Sequence, residues 1–195
     1  RILDPSMGSG HFLVFALPIV VAMRVEEEGL SMTEAITSVL RDNLFGLELD
    51  PRCTQIAAFN LAFTAWKLVG YQTLPSLNLA CCGLGIHATE EQWRRLANGD
   101  EKLANGMSHL HRLFKQAPTL GSLIDPRQLP MATKAKGAAS GDLLIAEYHD
   151  LRPLLDKALE KEKVKQDFDL HEIGVVAQGL AGAAEIMVSQ FCLVT

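Results

Sequence analysis

A chain of 195 residues with 48% apolar side chains is long enough to bury a sizeable core, and its length fits one domain with room for an insertion. Lys and Arg number 18 against 23 Asp and Glu, a net charge of −5, so the chain as a whole has no attraction to a phosphate backbone; any tight DNA binding must come from elsewhere. The longest apolar run, Phe12 to Met23, is shorter than the roughly 20 residues that span a bilayer and contains Pro18, which argues against a membrane span and for a buried helix.

Arg1-Ile2-Leu3 reads as the end of a strand. The chain thus opens inside an element, as expected of a fragment and not of a signal peptide. Asp4-Pro5-Ser6-Met7-Gly8-Ser9-Gly10-His11-Phe12-Leu13 follows, placing an acidic residue and two close glycines where strand turns into helix. Glycines there let backbone N–H groups approach a ligand, and the ligand expected at such a turn is nucleoside-like. A dinucleotide fingerprint needs a third glycine where Leu13 stands, so a nicotinamide or flavin site is the weaker reading. A helix is predicted from His11 to Glu28, apolar nearly all round and ended by Gly29. Ser31-Met32-Thr33-Glu34 has capping-box spacing, and Ala35, Ile36, Val39 and Leu40 mark one face of a short helix. A second strand, Leu44 to Leu49, ends in Gly46-Leu47-Glu48-Leu49-Asp50-Pro51. Asp50 before Pro51 reads as a helix cap. Glu48, at the tip of a second parallel strand, is placed to accept hydrogen bonds from both ribose hydroxyls.

The first string resembles the first motif of S-adenosylmethionine-dependent DNA methyltransferases that modify adenine at N6, Asp-Pro-x-x-Gly-x-Gly-x-Phe-Leu, at Asp4, Pro5, Gly8, Ser9, Gly10, Phe12 and Leu13. The second resembles their Gly-x-Glu-Leu-Asp-Pro motif. The resemblance implies a Rossmann-like class I methyltransferase fold, α/β with a parallel sheet. It implies that S-adenosylmethionine is the cofactor, that Glu48 holds its ribose and that Leu49 packs on its adenine. Asp4, Pro5, Ser6, Gly8, Ser9, Gly10, His11 and Phe12 would line the remainder of the cradle.

A helix from Pro51 to Val69 carries Ile56, Ala57, Asn60, Leu61, Thr64 and Leu68 on one side, a packing stripe, and Gly70 stops it. A third strand is predicted at Leu77 to Cys82, before Gly83. The family places an acidic residue here against the adenine amino group. This chain has Cys81-Cys82-Gly83-Leu84 instead, which leaves backbone groups near Cys82 and Gly83 as the candidates for that contact. From Leu84 to about Leu170 the strand–helix alternation lapses into a mainly helical insertion. It contains a second capping box at Thr89–Gln92, an amphipathic helix through Leu103, Met107, Leu110 and Phe114, and helices at 142–150 and 153–165. Glu160 to Lys165 reads as a solvated helix end, and His109 and His111, two apart, make a poor metal pair; no metal is expected. An alanine-rich helix over Ile173 to Gln190 then leads to a strand, Phe191 to Thr195. Cys53, Cys81, Cys82 and Cys192 lack Cys-x-x-Cys spacing and read as buried, reduced thiols of a cytoplasmic protein.

The organisation expected is a cofactor-binding half over 1–83, the insertion over 84–170, and a helix and fourth strand over 171–195. In the resembling enzymes, Asn-Pro-Pro-Tyr follows the fourth strand and supplies the catalytic contacts to an extruded adenine. No such tetrapeptide occurs in the 195 residues. The helix-filled gap before the fourth strand most resembles the large methyltransferases of phage-exclusion and restriction-modification systems. That resemblance implies DNA as substrate, bound mostly by other regions, and defence-system partner proteins. A nucleotide-binding oxidoreductase domain and a non-catalytic interaction domain are the competing readings.

Overall fold

The computed structural model describes residues 1–83, 88–97, 99–115, 124 and 168–195, in two compact units, 1–83 with 190–195 and 84–189. The helices expected at 142–150 and 153–165 and the charge run from Glu160 to Lys165 lie outside the described residues.

In the first unit, β1 (Ile2–Asp4) passes through the glycine turn into α1 (His11–Glu28), which Gly29 ends in a left-handed conformation, φ 68°. The capping box at Ser31 and Glu34 starts α2 (Met32–Asp42), whose Ala35, Ile36, Val39 and Leu40 are all buried. β2 (Leu44–Glu48) follows. Asp50 then caps α3 (Pro51–Val69) by accepting the Arg52 N–H at 2.9 Å, with Pro51 at the first helical position where its missing N–H costs nothing. The Arg52 guanidinium beside Asp50 holds its carboxyl down at about 2, so the cap stays ionised at any ordinary pH. β3 (Asn78–Cys81) completes this run, and β4 (Leu193–Val194) joins the sheet from the far end of the chain.

All pairings are parallel, in the order β3-β2-β1-β4. This is the Rossmann-like α/β arrangement, with the strand order reversing between β1 and β4. Ligands of such sheets bind outside the carboxyl ends of the strands at that reversal. Leu13, Leu17 and Val21 of α1, Ile36 and Leu40 of α2, Leu44 of β2 and Leu61 of α3 form the core on one face of the sheet.

Two expectations need correction. α1 is not covered all round: Phe12, Phe15, Ile19 and Met23 recur on one exposed face, Phe15 to 71%. On α3, Ile56 and Leu68 are exposed while Ala57, Leu61 and Ala65 are buried. The core side of α3 is thus Ala57, Leu61 and Ala65, with an alanine where the helix approaches Gly10, while Ile56, Phe59, Phe63 and Leu68 point away. Among the described residues, no helix is long and apolar enough to cross a membrane.

In the second unit, α4 (Glu90–Arg95) starts in the Thr89–Gln92 capping box, and α5 (Glu101–Phe114) is capped by Asp100 through the Leu103 N–H at 3.1 Å. Both pack against α6 (Phe168–Val188), which begins earlier than its alanine-rich stretch suggested. Trp93, Met107, Leu110, Phe114 and Leu180 are buried here. His111 Nε2 shares a hydrogen bond with the Ala88 carbonyl at 3.0 Å, a structural contact that ties α5 to the start of α4.

Candidate cofactor site

The sequence-predicted residues converge on the carboxyl edge of the sheet, all within the first unit. Parallel register places Asp4 opposite Gly46 and Glu48 opposite Cys81, so both acidic residues stand at the ends of neighbouring strands. Gly46 is bare for a packing reason. A Cβ there would run into Met7 Sδ and Leu79, so its hydrogen lets Met7 tuck beneath the turn. The Met7 N–H donates to the Leu47 carbonyl at 3.0 Å, which extends the β1–β2 ladder into the turn.

The two glycines of the turn do different work. Both are left-handed, Gly8 at φ 54° and Gly10 at φ 80°, where a side chain is strained. A Cβ on Gly8 would meet nothing within 4 Å, so that position faces open space. A Cβ on Gly10 would stand 2.9 Å from Ala57 Cβ and 3.1 Å from its Cα, so Gly10 is the point where α1 meets α3. α1 has no side-chain cap at Gly10, which leaves the N–H groups of its first turn directed out of the helix end.

Glu48 closes the arrangement. Its Oε2 accepts the Gly8 N–H at 2.7 Å, and its Oε1 accepts the N–H groups of Leu49 at 2.7 Å and Asp50 at 3.1 Å. A carboxylate can accept about four hydrogen bonds, so three placed donors leave capacity on Oε2. Glu48 thus holds its own turn together and ties it to the glycine turn across 40 positions of sequence. Asp4 is buried beneath, with Oδ1 accepting the Ser6 N–H at 3.2 Å past Pro5. Burial pushes the Asp4 carboxyl above its ordinary value, the Ser6 N–H opposes this, and the charge of Glu48 adds to the upward shift. Two acidic side chains at neighbouring strand tips favour a ligand that brings positive charge or hydroxyl donors. Ser9 Oγ and His11 Nδ1 share a hydrogen bond at 3.0 Å beside the turn, and Phe12 and Leu49, the latter 45% exposed, offer apolar surface at its rim.

At the end of β3 the backbone itself is packed. The Cys82 N–H donates to the Glu48 carbonyl at 2.8 Å, and a Cβ on Gly83 would collide with the Leu49 backbone. Cys82 is buried and its thiol is pushed up to about 11, chiefly by burial, so it is a packing residue and no nucleophile. Cys81 is buried too. Cys53 is only half-buried and Cys192 is exposed, against the expectation of buried thiols throughout, because each sits outside the core faces of α3 and of the sheet end.

Sequence reasoning missed Asn60, whose Nδ2 donates to the Ser9 carbonyl at 2.9 Å. A lone amide in the otherwise apolar stretch Ile56 to Phe63 was the available signal.

A parallel sheet in this order, with a glycine turn after its first strand and an acidic tip on its second, is an incomplete Rossmann-like methyltransferase fold. The chain is similar to adenine-specific methyltransferase BrxX of Escherichia coli O9:H4 (strain HS), 35% identical over 161 residues, covering 69% of this chain and 13% of the relative. It is also similar to adenine-specific methyltransferase PglX of Lacticaseibacillus casei (strain Zhang), 41% identical over 56 residues, 29% of this chain and 5% of the relative. The chain therefore spans a small part of the length of either curated relative. No family model matches it.

Proposed function

We propose that this chain forms the S-adenosylmethionine cradle of an adenine-N6 DNA methyltransferase of the phage-defence kind. One observation carries the reading: the Glu48 carboxylate and the Gly8 N–H meet at 2.7 Å on the carboxyl edge of the sheet, beside space that a Cβ on Gly8 would enter. The donor set suits such a cofactor. Glu48 has acceptor capacity left on Oε2 for a ribose hydroxyl, Leu49 gives the adenine an apolar face, and buried Asp4 with the first turn of α1 faces the amino-acid end. Backbone groups near Cys82 and Gly83 are proposed for the adenine edge, with the Cys82 N–H already taken.

When bound, the cofactor supplies an electrophilic methyl group. The protein's share is to hold that group in line with an adenine nitrogen whose lone pair is delocalised, so positioning matters more than activating a base. β4 brings Thr195 alongside Leu3, its N–H donating to the Leu3 carbonyl at 3.1 Å, next to Asp4. A catalytic Asn-Pro-Pro-Tyr segment continuing from β4 would enter the site there. DNA and defence-system partners would be engaged by regions beyond this chain, in keeping with its net charge of −5.

Titration calorimetry tests the cradle: S-adenosylmethionine and S-adenosylhomocysteine should bind and NADH should not. Binding of NADH alone would install the oxidoreductase reading instead. Incubation with methyl-labelled cofactor and mixed-sequence DNA at low salt should leave DNA unlabelled with this chain alone. Label in adenine would show that the catalytic residues lie within it.

A further inference from the structure

The glycine turn contains three successive peptide planes, and two are anchored. The Met7–Gly8 plane is fixed by the Gly8 N–H on Glu48. The Ser9–Gly10 plane is fixed at both ends, its N–H on the Met7 carbonyl at 2.8 Å and its carbonyl by Asn60 Nδ2 at 2.9 Å. Between them, neither the Gly8 carbonyl nor the Ser9 N–H meets a partner among the described residues. The middle plane is therefore set by its neighbours, and it lies where the open space at Gly8 begins.

Resting on the cofactor reading above, we propose that Asn60 is a positioning residue of this site: from α3, by holding the Ser9 carbonyl, it orients the Gly8–Ser9 peptide toward the amino-acid end of the ligand. Three features point to this and not to simple helix packing. Ala57, one turn earlier on α3, already makes the contact with Gly10, so α1 and α3 meet without Asn60. Asn60 is half-buried and its own carbonyl serves Thr64 Oγ1 at 2.7 Å, an ordinary intrahelical bond that needs no amide side chain. The Asn60 amide instead spans 51 positions to reach a backbone oxygen of the turn. Only a donor of that length serves. Asp at this position has the same shape but turns a carboxylate on a carbonyl oxygen, and Ala removes the contact.

The experiment compares S-adenosylhomocysteine with adenosine, which has the ribose and base but no amino-acid end. In the wild-type chain both should bind. Asn60→Ala should weaken S-adenosylhomocysteine by about tenfold and Asn60→Asp by more, with adenosine unchanged in both, since a hydrogen bond of this kind amounts to about one decade of affinity. A packing role gives the opposite order, because the isosteric Asp would be milder than Ala. Tolerance of Asp, or equal loss for the two ligands, would overturn the inference alone; failure of the wild-type chain to bind either ligand would overturn the cofactor reading and this with it. Should both variants unfold, the isotope-labelled wild type decides. The Asn60 side-chain amide resonances should shift with S-adenosylhomocysteine and stay put with adenosine, and equal shifts would refute the role.

Discussion

The glycine turn has a packed side and an open side, and the contrast shows that two glycines in one motif answer to separate constraints. On the packed side, Gly10 meets Ala57 of α3. On the open side, Gly8 faces space and gives its N–H to Glu48. The packed side is a requirement of the fold, and on the cofactor reading proposed above the open side is a requirement of binding. Substitution should separate them.

The largest effect is expected from Gly10→Ala. A left-handed backbone costs about 1–2 kcal/mol for a residue with a Cβ. Forcing α1 off Ala57 should add about 1–3 kcal/mol. Urea unfolding measures the loss, and Ala57→Gly in the same chain should recover only part of the packing loss and none of the strain, since the Cα at that position stays close to the added Cβ and Gly weakens the helix. Gly8→Ala should show the strain alone, about 1–2 kcal/mol, together with a loss of S-adenosylhomocysteine affinity larger than any loss in stability. Equal destabilisation by Ala at both glycines would erase the contrast.

Glu48→Gln comes next. Loss of a charged acceptor should lower ligand affinity by about 1.5–3 kcal/mol, read by calorimetry. Stability should fall as well, because one carboxylate now serves three backbone N–H groups and an amide presents only one acceptor oxygen to them. A variant that lost stability but kept full affinity per folded molecule would make Glu48 a purely structural clamp.

The smallest effect is expected at Asp4 and depends on pH. Its folded-state pKa is raised by burial, so the fold favours the protonated acid. That contribution is fully present below the ordinary value of 3.8 and is lost as pH rises through the raised one. Asp4→Asn, which does not titrate, should match the wild type at pH 3 and exceed it in unfolding free energy at pH 7. An advantage for Asn that shrank as the pH rose would reverse the sign and remove burial as the cause.

Much of this was legible because punctuation residues sit at the ends of elements. Gly29, Gly70, Pro51 and the Ser31 and Thr89 capping boxes each act within a few positions, and each element boundary follows them. The bond from Gly8 to Glu48 was not legible, since 40 positions separate them and only the parallel register joins them. Asn60 was hidden in a helical stripe, where periodicity reports which residues share a side but not what a lone polar one reaches. The exposed apolar face of α1 was misread for a related reason: a run of apolar residues records hydrophobicity, not what lies against it.

The strand that carries Asp4 has the first and last parts of the chain on either side of it. Ile2 pairs with Leu44 on one edge and with Leu193 on the other, and Arg1 and Cys192 meet although 191 positions apart. On a ribosome working at about 5–20 residues per second, β1 would therefore wait roughly 7–30 s for β4 after its other edge could have paired. Closing so long a loop is a late, entropically costly event, so the site's two acidic strand tips assemble early and the strand beside Asp4 arrives last.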